Sequence, residues 1–394
     1  MATIAGSGRS LKTDSRAAAA EAVRTALGPL GGAAPTFGVL FASAKHDLAA
    51  ALDEAQKAAP GAALFACTTA GEITERGLTR GNLAAMMVAA EDTTVELAVV
   101  GGVKKDPAEA ARKLCAGFAG TARRAGAAGQ AMSTSVILVD GLNGAGEALV
   151  NEVLDATRTF QQVVGGAAGD DGAFKATQVG ARGQVAADGA AVLHAFSRKP
   201  WGVGVDHGLR PNSARMRVTR ASANVVEQID GRPAFDVYKE FAAARGVSLT
   251  PENAGAFLIA NELGIHVFDE LRRARAPLAV GANGSLTCAA EIPEGASVSI
   301  LDGEPASMVA AARRAAEEAC RNLGGNRAAG VLLFDCVCRG MILDGGFGQE
   351  IEAVRSVFPD VPVAGLLTYG EIARFKGRLD GWHNTTAVVA AIPA

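Results

Sequence analysis

Two short stretches of this chain carry a hydroxyl, a glycine and a carboxylate at one fixed spacing: Thr69-Ala-Gly71-Glu72 and Thr368-Tyr-Gly370-Glu371. Each closes a run of apolar, β-prone residues, so hydroxyl and acid stand at the C-terminal edge of a strand, where open parallel sheets bind their ligands. The glycine lets the backbone turn sharply or approach a solute closely. A carboxylate there holds an ammonium or guanidinium group of a small solute. Alternatively it accepts turn amides and fixes the connection to the next strand. Asn82 and Asn384 open the apolar runs that follow and fall on the same edge.

A second constellation is Phe334-Asp-Cys336-Val-Cys338-Arg339-Gly340, again after a strand-like run and before the glycine-rich turn 344–348. Arg339 beside Cys336 would lower the thiol pKa and favour an accessible thiolate. Its planar fork also suits a ligand carboxylate, and a purely structural reading pairs it with Glu371 or Asp335. The lone C-x-C lacks the second pair or the histidines that a zinc site needs. None of His46, His194, His207, His266 and His383 stands at metal spacing. The sequence has no G-x-S-x-G elbow and no Walker-type loop, and the glycines of 165–172 lack dinucleotide spacing. No nucleophile has an obvious base, so we expect no catalytic residues, no metal and no enzyme.

The elements that must position these groups alternate. Residues 15–27 read as an Ala-rich helix ended by Pro29, Gly31 and Gly32. Strand 36–42, helix 47–58 and strand 62–67 form a β-α-β unit, which implies a parallel pair. Strands 82–90 and 94–100 follow, then a helix over 106–124 with an Asp-Pro start. The order recurs as strand 134–139, helix 145–157, short strand 163–164 and strand 190–196. It recurs again as strand 330–334, helix 349–358, strand 361–367 and strand 385–392. Segment 212–329 differs, with short β-like runs at 216–219, 256–261, 278–281 and 297–301 and an amphipathic helix over 306–323.

The copies can be aligned. Thr69, Gly71, Glu72 and Ile73 match Thr368, Gly370, Glu371 and Ile372, and the middle copy keeps only a glycine followed by an acid, Gly169-Asp170. This predicts an α/β protein of two related lobes, built of repeated β-α-β-β units that form mixed sheets flanked by helices. Residues 1–35 are an N-terminal helix and lead-in, 36–210 the first domain and 211–394 the second, with the change of character near 208–212 as the boundary.

Composition sets the outer limits. With 38 basic and 41 acidic side chains among 394 residues, there is no excess of positive charge to neutralise phosphates, so no nucleic-acid partner is expected. At 49% hydrophobic and 20% charged the chain can bury cores, and 48 glycines against 5% aromatics make those cores Ala/Val/Leu with close backbone packing. No apolar run reaches membrane-spanning length and the first sixteen residues show no secretory signal, so no membrane insertion is expected. Six scattered cysteines read as reduced thiols in the cytoplasm.

These motifs in this order resemble FIST-domain proteins, which pair a FIST N-terminal with a FIST C-terminal domain. The first match runs from about Thr36 to His207 and rests on Cys67-Thr-Thr-Ala-Gly-Glu-Ile73 and Val164-Gly-Gly-Ala-Ala-Gly-Asp170. The second runs from about Asn224 to Arg374. It rests on Phe334-x-Cys336-x-x-Arg339-Gly340 and Gly365-Leu-Leu-Thr-Tyr-Gly-Glu-Ile372, with His383-Asn384-x-Thr386 beyond. The resemblance implies an intracellular sensory domain for a small ligand, with amino acids or related metabolites as the suggested class. Members are often fused to kinases, cyclases or F-box segments; this chain looks like a stand-alone module whose output needs a partner protein. Some FIST-type proteins look like haem-dependent nitric-oxide sensors, which here would require one of the five histidines as axial ligand. The expected pocket is lined by Cys336, Arg339, Thr368, Gly370, Glu371 and Asn384, with Thr69, Gly71, Glu72 and Asn82 as its repeat-related counterpart. A haem sensor and a Cys336-based thiol enzyme or redox switch are the alternatives.

Overall fold

Alanine and glycine make the first layer. In a computed structural model, which describes residues 3–157, 162–267, 270–376 and 381–394, strand β1 (Ile4–Ser10) is covered by helix α1 (Ser15–Leu27). Asp14 caps α1 by accepting the Ala17 amide at 2.8 Å. Alanines 18, 19, 22 and 26 form the buried face of α1, and a Cβ placed on Gly6 or Gly8 of β1 would stand 2.1 Å from the carbonyl oxygen of Ala26 or Ala22. Helix and strand therefore touch through their backbones. Then follow β2 (Phe37–Ser43), α2 (Leu48–Ala58), β3 (Ala63–Thr69), the hairpin β4 (Glu72–Thr74) and β5 (Gly77–Thr79), and β6 (Leu83–Ala89).

A second unit repeats the order: β7 (Thr93–Gly101), α3 (Pro107–Leu114), α4 (Phe118–Ala127), β8 (Met132–Val139), α5 (Gly146–Thr157), β9 (Gln162–Ala167), β10 (Val179–Ala181), β11 (Gln184–Ala186) and β12 (Gly189–Ser197). The third starts with β13 (Gly202–Asp206) and is then interrupted. The insertion holds β14 (Arg210–Pro211), β15 (Met216–Ser222), β16 (Val225–Ile229), β17 (Arg232–Pro233), α6 (Ala234–Ala243) and α7 (Ala254–Ala260). It continues with β18 (Leu263–Val267), β19 (Glu270–Arg275), β20 (Pro277–Val280), β21 (Leu286–Cys288) and β22 (Ser297–Asp302). Unit 3 resumes with α8 (Pro305–Asn322), β23 (Ala328–Cys336), α9 (Val337–Leu343), α10 (Gly348–Val357), β24 (Val363–Thr368), β25 (Glu371–Arg374), β26 (Trp382–His383) and β27 (Ala387–Pro393).

The units are laced into a ring. Their sheets run β1-β6-β2-β3-β10-β11, β7-β12-β8-β9-β25-β26 and β13-β27-β23-β24-β4-β5. Each unit keeps its parallel pair (β2/β3, β8/β9, β23/β24) and hands its hairpin to a neighbour. Three backbone bonds close the ring in matching fashion: Ala70 N to Leu367 O at 3.0 Å, Tyr369 N to Ala167 O at 3.1 Å and Gly169 N to Thr68 O at 3.0 Å. The inner sheet faces share one apolar core with Phe41 and Phe65 from unit 1, Val136 and Leu138 from unit 2, and Phe334 and Leu366 from unit 3. Helices cover the outer faces. The chain is thus α/β, with mixed sheets flanked by helices. Its N-terminal lobe holds units 1 and 2; its C-terminal lobe holds unit 3 and the insertion. Among the described residues no helix is long and apolar enough to cross a membrane.

Four expectations are corrected. Residues 256–261 fall mostly in helix α7, not in a strand, and the helix expected over 106–124 is two helices broken near Cys115–Gly117. Strands β1 and β13, Gly-Ser-Gly and Gly-Val-Gly in character, stand where the sequence pattern shows no strand, because glycine hides β-propensity where a helix backbone takes the space of a side chain. The middle repeat also aligns differently. Leu367 N bonds Gly71 O, Ala167 N bonds Gly370 O and Thr68 N bonds Gln178 O. Val179, not Asp170, therefore stands where Glu72 and Glu371 stand, and residues 170–177 are an addition to that loop.

The Gly–Ala seam is testable at β13, where a Cβ on Gly204 would lie 2.0 Å from Ala315 O in α8. Gly204→Ala is expected to push α8 off its sheet and lower the unfolding free energy by about 1–3 kcal/mol, seen as a lower denaturant midpoint; a midpoint equal to the parent's would refute the seam.

Candidate ligand site

Each unit ends its last turn on a buried carboxylate. The amide just before the final strand is accepted by Glu72 Oε2 from Asn82 at 3.1 Å, by Asp140 Oδ2 from Asp188 at 2.7 Å and by Glu371 Oε2 from Thr386 at 3.0 Å. Glu72 also accepts Thr69 Oγ1 and Glu371 accepts Thr368 Oγ1, both at 2.5 Å. Burial pushes both glutamates up to about 7, against the opposing pull of those donors. The repeated Thr-x-Gly-Glu motif is therefore a clasp that fixes strand connections, the second of the two roles open to it in the sequence.

Arg339 is likewise spent inside the protein. It is fully buried, donating to the carbonyls of His207 at 2.8 Å and Met308 at 2.9 Å, to Glu350, and facing Asp335 with Nε 3.2 Å from Oδ1. Burial works against its charge, but Glu350 and Asp335 outweigh it and keep the guanidinium protonated. The expected activation of Cys336 is reversed. Its thiol is pushed well up by Cys338, by burial and by Glu371, while the positive charge of Arg339 is absorbed by the two acids.

The structure thus gathers Cys336, Arg339, Thr368, Gly370, Glu371 and Asn384 in one cluster and Thr69, Gly71, Glu72 and Asn82 in another. The open space lies beside them. A cavity of about 320 Å³ sits where the loop after β8, the head of α5, two turns of the insertion (223–224 and 289–291) and Tyr369 and Trp382 of unit 3 meet. It is lined by none of those ten side chains.

Its walls are set by close fits. Asp140 accepts the Leu142 amide at 2.7 Å and Thr177 Oγ1 at 2.8 Å, and Asn143 accepts the Ala145 amide at 2.9 Å, which shapes the turn into α5. The Trp382 indole is wedged between Gly146 and Gly370, where a Cβ would come within 2.3 Å and 2.4 Å of its ring. Gly370, chosen from the repeat as a flexible turn, is required instead as a seat for this ring. Tyr369 donates its hydroxyl to Asp170 and stacks on Phe174 at 4.5 Å between ring centroids. Glu147 at the head of α5 receives Arg273 at 3.1 Å and Arg275 at 3.3 Å from the insertion.

Several polar groups here remain unused. The amides of Gly146, Glu147 and Ala148 open α5 and have no carbonyl of their own helix to reach. Trp382 is 7% exposed and its Nε1 has no hydrogen-bond partner among the described residues. Among the described residues the Glu291 carboxylate has no side-chain partner, and no lysine or arginine lines the space. Sequence reading passed over this site. Its one signal was Asp140-Gly-Leu-Asn-Gly144, a glycine-rich turn at the same point of its unit as Cys336–Arg339.

The donor set does not fit a haem, which needs an axial histidine. No histidine lines the cavity, and His194, His207, His266 and His383 each have a ring nitrogen bonded within the fold. His46, 4% exposed, is enclosed in the turn after β2.

Comparison with known proteins adds the following. The family model described as FIST N domain matches residues 36–232, and the FIST C domain model matches residues 234–374. Uncharacterised proteins of Mycobacterium bovis and Mycobacterium tuberculosis are each 27% identical over 194 residues, 47% of this chain and 49% of theirs. The chain thus spans about half the length of the curated relatives it matches. Among solved structures, a cyanuric acid hydrolase from A. caulinodans aligns with a TM-score of 0.28 at 9% identity, over 50% of this chain and 72% of that one.

Proposed function

The chain belongs to the FIST family, and from that we infer that it is a sensory module for a small ligand. On that premise we propose that it takes an amino acid or a related metabolite into the cavity at the head of α5 and signals through a partner protein. What supports the reading is the complement of unused groups around that space. The opening amides and positive end of α5, together with the Trp382 N–H, suit a carboxylate. The Glu291 carboxylate suits an ammonium. A ligand with both ends is a zwitterion. Thr368, Gly370 and Glu371 bracket Tyr369 and hold it at the cavity wall, with Cys336, Arg339 and Asn384 packed behind. Thr69, Gly71, Glu72 and Asn82 do the equivalent work in unit 1. In this reading the six residues of unit 3 support the cavity wall through Tyr369, and the four of unit 1 fix the matching turn of their own unit.

The chain has two tryptophans, and Trp201 is buried in the central core stacked on Phe37. Trp201→Phe therefore leaves Trp382 as the reporter. Titration of amino acids and related metabolites is expected to change its emission, with heat of binding for the same compounds. Glu291→Gln is expected to weaken the best of them about tenfold, equivalent to about 1.4 kcal/mol. No response from the panel, or equal affinity in the variant, would overturn the assignment.

A further inference from the structure

The turn 384–386 joins β26, which carries Trp382, to β27, and it is gripped from two sides. Thr386 donates its amide and its hydroxyl to Glu371 Oε2, at 3.0 Å and 2.9 Å. Thr385, the residue before it, donates its hydroxyl to Glu262, which belongs to the insertion. Adjacent threonines are thus held by two carboxylates, one from each side of the junction that forms the cavity.

Three features set this junction apart from ordinary packing. Thr385 has φ +57°, a left-handed conformation that a β-branched residue rarely adopts and that its neighbours must enforce. Both carboxylates are buried, at 1% exposure for Glu262 and 0% for Glu371. Among the described residues Glu262 Oε2 and the neighbouring Asn384 Oδ1 have no hydrogen-bond partner. The insertion has an apolar core of its own, drawn from residues 218–300, packs on unit 3 through Ala274, Ala276 and Leu301, and leaves and returns along paired strands, Arg210 opposite Asp302 and Pro211 opposite Leu301.

We propose that Glu262, Thr385, Thr386 and Glu371 form a proton-operated latch that holds the insertion against the cavity wall and lets go when both carboxylates ionise. Protonated, the two acids carry no charge, and the turn stays clasped. Ionised, they place two like charges on consecutive residues of one strained turn, in a medium that screens them poorly. The insertion carries Glu262 and two turns of the cavity lining, so it is the part that yields, and β26 moves Trp382 with the turn.

The surroundings favour the protonated pair. Facing it are Asp335, Cys336 and Arg339 from β23 and α9, Glu350 from α10, Arg275 from β19, Cys288 from β21 and Tyr238 from α6. Arg339 is already matched by Asp335 and Glu350, and Arg275 is committed to Glu147. Burial and then mutual repulsion push Glu262 up to about 8, against the pull of Thr385. The latch depends on the proposed ligand site only for its consequence; its operation is read with no ligand present.

The test is a pH titration of the full chain carrying Trp201→Phe, followed by Trp382 emission and by hydrogen exchange over residues 382–386. One spectral transition is expected between pH 6 and 9, with exchange in the turn rising through it. Glu262→Gln, which mimics the protonated acid, is expected to abolish the transition. Thr385→Val keeps the shape and removes the hydroxyl that favours ionised Glu262, so it is expected to move the midpoint upward. A flat titration in the Trp201→Phe protein overturns the latch, as does a transition unchanged by either substitution. Failure of ligand binding alone, with these pH results intact, overturns only the ligand assignment.

Discussion

Arg339→Ala is expected to destabilise the protein by about 3–5 kcal/mol, the usual result of removing one partner from a buried ion cluster. The two acids facing the guanidinium are themselves 0% exposed. Burial, the Glu350 charge and a guanidinium that only partly compensates already hold Asp335 well above the ordinary carboxyl range. Without Arg339 two buried acids are left with no counter-charge beside them. The loss also cuts ties between separate elements, because the same guanidinium bonds the carbonyl after β13, a carbonyl of α8 and, at 3.4 Å, Thr385 O in the turn before β27. Since domains are stable by only about 5–15 kcal/mol, soluble yield and melting cooperativity are both expected to fall. The companion experiment replaces the cluster by neutral groups, Arg339→Met with Asp335→Asn and Glu350→Gln, and is expected to recover most of the stability. An alanine variant that unfolds within about 1 kcal/mol of the parent would show that the cluster does not hold these elements together.

That expectation also explains what the sequence conveyed and what it hid. The glutamates of the repeat were visible because their loops are local and identical, Thr-x-Gly-Glu in both places. Their role as turn clasps was one of two chemically sensible roles, and only the donors from Asn82 and Thr386, ten and fifteen residues away, decide it. The exchange of hairpins was not legible at all. A three-residue strand such as Glu72–Thr74 carries no address, yet it pairs with Ala364–Leu366, nearly three hundred residues on. Pairing of that kind is set by the closed ring and not by any pattern in the segment itself. The middle repeat misled because Gly169-Asp170 imitates the motif just where the added loop begins. The cavity escaped notice for a chemical reason: much of its lining is glycine, alanine and backbone, with Asp140 tied up in a turn and Glu147 in ion pairs. A search for reactive side chains finds Arg339 and Cys336, which the fold has buried, and passes over Gly146 and Trp382.

Stability of the whole protein is expected to fall as the pH is raised from about 6.5 to 8. Glu72, Glu371 and Glu262 hold their protons up to about 7, 7 and 8 when folded, against an ordinary value of 4.5. Below that ordinary value both states are protonated and the folded state has the full benefit of neutral buried acids. As pH rises past it, the unfolded chain releases protons that the folded chain keeps, so unfolding gains on folding until the folded values are passed. His194 acts in the opposite sense, since burial lowers it to about 4 from 6.5, so its contribution grows with pH until 6.5 and is constant above. The window above 6.5 therefore isolates the acids. At about 1.4 kcal/mol per group per pH unit, the fall to pH 8 is roughly 3 kcal/mol, more than half of it from Glu262. Guanidinium unfolding at pH 6.5 and pH 8 measures it directly, and Glu262→Gln is expected to leave a visibly flatter profile than the parent. A midpoint that stays level or rises between those pH values would mean that these carboxylates are charged in the folded protein, and that water or a counter-ion reaches the turns they hold.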